Sequence, residues 1–203
     1  MNLTLDQNKQ LIKEFPFLRP CNVWTGELYD DYNYSYINGI GDLPRGWDRL
    51  FLLYCKYLKI ELNKYDYITK FRFLQIKEKY GSMRLYNNGY PRDSKVSELD
   101  YIFEHLSTYI CEDCGKVATY ETPGWITVLC EGCYKNSYQS IYIEDPTRNK
   151  IGRKSYFVRV RGYSKDLGYY KMKYDCRPYW KEYLALMKLN DDEFIKFIME
   201  TSK

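Results

Sequence analysis

The 203-residue chain is 45% hydrophobic and carries a formal net charge of +4. That is enough apolar material for a packed core, which excludes general disorder, and the length suits one domain or one domain with a small appendage. No apolar run approaches the roughly 20 residues that span a bilayer, and MNLTLDQNKQLIKEF lacks a basic-then-apolar leader, so the expectation is a protein without a membrane partner and with a cytoplasmic address.

In chain order, the first element is a short helix over Asp6–Phe15 with Leu11, Ile12 and Phe15 on one side. Pro16 and Pro20 end it, because neither donates a backbone N–H and each fixes its φ. Residues 20–46 read as loop. Pro44 and Gly46 then introduce a helix over Trp47–Glu61 with Trp47, Leu50, Phe51, Tyr54 and Leu58 spaced three and four apart. The next stretch predicts a β-hairpin, Tyr67–Lys79 against Ser82–Tyr86, turning at Tyr80-Gly81. With Lys77 opposite Arg84, Leu74, Ile76, Glu78, Met83 and Leu85 share one face, while Phe71 and Phe73 fall on the other and also need cover. Ser94 is placed to cap a helix running to Thr108, buried through Val96, Leu99, Phe103 and Leu106.

Four of the seven cysteines follow as two C-x-x-C pairs, Cys111/Cys114 and Cys130/Cys133, with 15 residues between the pairs. Four thiolates at that spacing can surround a tetrahedral zinc ion. Val117–Glu121 and Trp125–Leu129 read as strands with Thr122-Pro123-Gly124 as the turn, and a helix starts near Tyr134. The arrangement expected is a zinc-ribbon or treble-clef-like module. A redox C-x-x-C of thioredoxin type needs one pair at a strand–helix junction rather than two facing pairs. A catalytic zinc keeps a position open for water, whereas four cysteines leave none, so the expected cofactor is a structural Zn2+.

The region that follows is strongly basic. Thr147–Lys188 holds 12 Lys/Arg against 3 Asp/Glu, a net of +9, while residues 1–146 sum to −3. SYFVRVR, Ser155–Arg161, alternates as a strand with Phe157, Arg159 and Arg161 on one face. Pro178–Leu189 and Asp191–Thr201 read as helices, the second opened by an Asn190/Glu193 capping box. Arginines beside tyrosines suit phosphates and stacked bases; the plainer alternative pairs those arginines with acids of residues 1–146. The candidate binding residues are Arg159, Arg161, Lys154 and Tyr156, together with Lys77, Lys79 and Arg84 at the first hairpin's tip, where Glu78 also stands ready to offset the charge.

PFLRPCNVWTGELYDDYNYSY, LPRGWDRLF, FLQIKEKYGSMRLYNNG and CEDCG…GWITVLCEGC occur in that order. Across about residues 10–136 the chain resembles a family of small uncharacterised bacteriophage and prophage proteins. That family runs a Gly-Trp helix, an IKEK-F/Y-G-x-L/M-R-x-Y hairpin, a helix and a cysteine module with an internal Gly-Trp. The resemblance implies a phage or prophage origin, host bacterial cytoplasm as the address and a zinc module. Residues 137–203 match nothing in it.

The expected fold class is α+β: a helix–hairpin–helix body over 1–108, a four-cysteine module over 109–143, and a basic aromatic extension over 144–203 packed on the body. His105 is the one histidine, and neither a P-loop nor a G-x-G-x-x-G is present, so nucleophile–histidine machinery and nucleotide cradles are not expected. The expectation is a non-enzymatic zinc-binding phage accessory protein. It would act on nucleic acid or on a host nucleic-acid-handling complex, for instance as an inhibitor of a bacterial defence system. The alternatives are a nuclease-like enzyme with an acidic site at Asp30-Asp31 in the 20–46 loop, and a purely structural interaction module.

Overall fold

The structure is a computed structural model that describes residues 3–22, 24–29, 35–36, 43–137, 156–164 and 168–201. Helix α1 (Leu5–Glu14) starts one residue earlier than its apolar spacing predicts, because Thr4 caps it. The Thr4 hydroxyl accepts from the Gln7 N–H at 3.2 Å, and the Gln7 side chain accepts from the Thr4 N–H at 2.9 Å. A tight turn at Pro16–Leu18 then buries Phe17 and Leu18.

Helix α2 (Asp48–Asn63) is the axis of the protein. Every residue from Leu50 to Cys55 is fully buried, so the helix is covered on all sides and not along one stripe. Helix α3 (Val96–Ser107) packs on one flank, while α5 (Arg177–Leu186) and α6 (Asp191–Thr201) pack on another. Trp180, Tyr183, Leu186, Phe194 and Ile198 therefore join the same buried cluster as Leu11, Phe51 and Phe103. Each fully buried Leu or Phe side chain contributes about 1.5–3 kcal/mol relative to exposure. Asn190 and Glu193 form the reciprocal cap of α6, with bonds of 3.0 and 2.9 Å.

Strands β1 (Phe73–Glu78) and β2 (Met83–Asn87) pair antiparallel with Lys77 opposite Arg84. The strand begins later than Tyr67; residues 67–71 instead form a turn closed by Lys70 and Phe71 N–H groups on the Tyr67 carbonyl. A register shift between Phe73 and Gln75 inserts one extra residue. That bulge lets Phe73 and Ile76, an odd and an even position, both be buried. Phe17, Phe71 and Phe73 meet edge to face with centroids 5.2–5.8 Å apart. At the tip, Tyr80 and Gly81 both have positive φ, as a two-residue hairpin turn of right-handed twist requires.

The outer edge of β2 does not stand open. The Met83 N–H donates to the Ser107 hydroxyl at 2.8 Å and the Leu85 N–H to the Glu104 carboxylate at 2.9 Å, so α3 satisfies the edge. Lys95 and not Ser94 occupies the cap position of α3; the Ser94 hydroxyl donates instead to the Pro91 carbonyl at 2.7 Å.

Strand β5 (Phe157–Ser164) pairs along its whole length with β6 (Gly168–Asp175). The sequence reading holds only the first of these strands. Val160 is buried and Tyr174 lies parallel to Tyr101 of α3 with centroids 6.4 Å apart, so one face of this ribbon rests on α3. The observed class is α+β, helices with small antiparallel sheets. Among the described residues no helix is long and apolar enough to cross a membrane.

Candidate metal centre

The cysteine segment is organised around two turns. The first spans Cys111–Gly115: the Gly115 N–H donates to the Cys111 carbonyl at 3.0 Å and the Cys111 N–H to the Lys116 carbonyl at 2.7 Å. Gly115 has φ +75°, a backbone region that glycine enters at little cost. The second joins β4 (Val128–Leu129) to α4 (Glu131–Ser137), and the Cys133 N–H points at the Cys130 sulfur, 3.5 Å away. β4 pairs with β3 (Tyr120–Glu121), which returns the second turn to the first. Both strands are two residues long, shorter than predicted. Thr122 takes over where the ladder stops, accepting from the Thr127 N–H at 2.9 Å and donating to the Trp125 carbonyl at 2.5 Å.

The outcome is that one sulfur from each of Cys111, Cys114, Cys130 and Cys133 lies within 4.8 Å of the other three. The Cys114 and Cys130 sulfurs are 3.6 Å apart, and none of the four is in a disulfide. Sulfurs held about 2.3 Å from one tetrahedral ion stand about 3.8 Å from each other, so the cluster fits a single metal ion. Cys111 is buried and Cys114 exposed. Burial pushes the Cys111 thiol up to about 11. Burial acts on Cys130 as well, but the Cys133 N–H and the neighbouring thiols outweigh it and hold Cys130 below the ordinary thiol value. Four adjacent thiols cannot all ionise side by side; a divalent cation supplies the charge that lets them.

The first turn is seated on the body by three hydrogen bonds. The Gly46 N–H donates to the Glu112 carbonyl at 2.7 Å, the Trp47 indole N–H to the Ile110 carbonyl at 2.8 Å, and the Tyr183 hydroxyl to the Gly115 carbonyl at 2.6 Å. A Cβ on Gly46 would stand 2.0 Å from the Cys111 carbonyl oxygen, so only glycine allows this approach. The Glu112 carboxylate accepts the Val128 N–H at 2.8 Å and ties the first turn to β4. Ile126 and Val128 reach the tip of the first hairpin, 3.0 Å from a Cβ built on Gly81. A cleft of about 410 Å³ beside the cluster is lined by Arg45, Asp48, Arg49, Asp113, Cys114 and Asp191 among others. Burial pushes the Asp48 carboxyl up to about 6, and Arg49 is tied to Asp191 at 2.7 Å.

The other candidate residues are scattered over three places. Arg84 is paired with Glu104 at 3.2 Å. Lys77 lies over the Tyr86 ring and Lys79 over the Tyr80 ring. Arg159 and Arg161 are exposed on β5, directly opposite Lys173 and Lys171 of β6. Tyr156 is exposed just before β5. Lys154, Asp30 and Asp31 lie outside the described residues. His105 meets the Tyr109 ring edge to face, and Cys21, Cys55 and Cys176 are each buried singly. Comparison of the chain with protein-family models, curated proteins and solved structures gave no match.

Sequence reasoning missed the seat of the module. Gly46 and Trp47 were legible as a helix start, but nothing local shows that they and Tyr183 meet Cys111–Gly115 across the fold. Lys171 and Lys173 were missed because their strand was.

Proposed function

We propose that the four cysteines hold one structural zinc ion in a treble-clef-like module, and that the protein works by binding nucleic acid and not by catalysis. The reading is carried by one face of the β5–β6 ribbon. Arg159 faces Lys173 and Arg161 faces Lys171, so four cations occupy adjacent positions. Like charges directly across a ladder destabilise it. None of the four makes an ion pair among the described residues, and Asp175, on the same ribbon, is taken by Arg177 at 2.6 Å. Neighbouring strands stand about 4.8 Å apart and alternate residues about 6.8 Å apart, which sets the four charges in a compact grid suited to a run of phosphates. Tyr169, 90% exposed, is positioned nearby as a surface on which a base stacks.

In this reading the metal module and helices form a rigid base and the ribbon is the contact surface. Four sulfur ligands leave the zinc no position for a reacting water, which favours binding over hydrolysis. The phage origin and the host nucleic-acid-handling complex, including a defence system, belong to the same proposal and rest on the resemblance alone. The test is the affinity of the intact protein for labelled single- and double-stranded oligonucleotides as salt is raised. Four phosphate contacts predict a log–log slope of about −3 to −4. Arg159→Ala with Arg161→Ala should weaken binding and lower the slope by about 2. Absence of binding at about 50 mM salt, where phosphate contacts are strongest, would remove the reading.

A further inference from the structure

A cleft of about 730 Å³ lies between the start of α3 and the ribbon face that carries Val160, opposite the face of the four cations. Its lining is of two kinds. The apolar part is Tyr101 of α3 with Val160, Tyr170, Met172 and Tyr174 of the ribbon. The Tyr101 and Tyr174 rings lie within 15° of parallel, with centroids 6.4 Å apart. Tyr101 is 37% exposed and Met172 38%, so this surface is only partly covered. The Tyr174 hydroxyl donates to the Met172 sulfur at 2.7 Å, a weak acceptor from which a better one easily draws it. The polar part comes from the loop before α3 and its first turn, and it carries both signs: Arg92 and Lys95, Asp93 and Glu98.

We infer that this cleft takes one nucleobase that carries an exocyclic amine. A flat heteroaromatic ring covers tyrosine faces and thioether together, which an aliphatic chain does less well. The edge of such a base offers a donor beside an acceptor, and a rim of both signs answers both. The amine donates to the Glu98 carboxylate, and the neighbouring ring nitrogen or carbonyl accepts from Lys95. An aliphatic ligand would bury those polar groups without satisfying them. The volume falls within the range of small-ligand sites. Arg159, Arg161, Lys171 and Lys173 are not part of this lining, so the inference stands separately from the phosphate contacts of the ribbon. A free nucleoside and an unpaired base in a strand present the same ring.

The test is titration of the full-length, metal-loaded protein with nucleosides, which carry no phosphate and so do not report on the ribbon's cations. Binding is read by calorimetry and by the NMR signals of the Tyr101 and Tyr174 rings. Cytidine and adenosine should bind at one site at about 1 mM or tighter, with uridine about tenfold weaker or more. Tyr101→Ala should weaken cytidine about tenfold by removing a stacking face. Glu98→Ala should bring cytidine down to the affinity of uridine, and it decides the matter alone if the Tyr101 variant does not fold. Oligonucleotide affinity that falls with Tyr101→Ala assigns the base to a strand; oligonucleotide affinity unchanged by it assigns the site to a free nucleoside. Three results would overturn the site: no nucleoside binding at about 5 mM, uridine bound as tightly as cytidine, or native cytidine affinity in a folded Tyr101→Ala or Glu98→Ala variant.

Discussion

Two single positions make sharp predictions. Gly46 lies so close to the Cys111 carbonyl that a methyl group forces the two segments apart. Gly46→Ala should destabilise the protein by about 3 kcal/mol or more, seen as a lower Tm together with easier loss of metal to a chelator. An unchanged Tm would show that the first cysteine turn is not seated there. Asp100 accepts the Tyr54 hydroxyl at 2.5 Å, and burial pushes its carboxyl up to about 7. A carboxyl with a raised folded pKa binds its proton more tightly in the folded state. Its contribution is therefore complete below the unfolded value near 4 and fades as pH rises through 7. Relative to Asp100→Asn, the native protein should lose on the order of 2–4 kcal/mol between pH 4 and pH 7 in denaturant titrations. Parallel pH profiles of the two proteins would contradict this. The four cysteines were legible from spacing alone, because each C-x-x-C makes its own turn. The seating contacts of Gly46, Trp47 and Tyr183 were not, because each is made with a segment far along the chain.

Secondary structure was legible wherever a local signal was complete. The Asn190/Glu193 cap and the Lys77–Arg84 register are both local, and both occur as read. The Phe73 bulge was not visible, since alternation alone puts Phe73 on the face opposite Ile76; the aromatic cluster of Phe17 and Phe71 draws it inward. The α2 stripe was read as one-sided because the helices that cover its far side lie more than 110 residues later. β6 escaped notice because its tyrosines and lysines carry no strong apolar alternation, and pairing with β5 defines it. The short β3–β4 ladder has two residue pairs, too few to hold the module without help. Removing the metal should therefore expose the amides of Glu112, Thr119 and Thr122 to hydrogen exchange, while those of Leu50–Leu58 in α2 stay protected. Equal protection with and without metal would mean that the module needs no ion to fold.

The protein as a whole joins a buried helix, a four-cysteine module seated on its start, and a ribbon whose four cations make no ion pair among the described residues. Packing answers the first, and the proposed nucleic-acid contact answers the third. Everything depends on the second: in the proposed reading zinc on the four sulfurs joins the module's two turns, which otherwise share a two-pair ladder and the hydrogen bonds of Glu112 to Val128. Native mass spectrometry of the protein purified under reducing conditions tests this most directly. The account predicts one zinc ion per chain, bound with loss of the thiol protons, and absent from the Cys111→Ser, Cys133→Ser variant. A metal-free chain that keeps its fold, or one whose four cysteines are paired as disulfides, would contradict it.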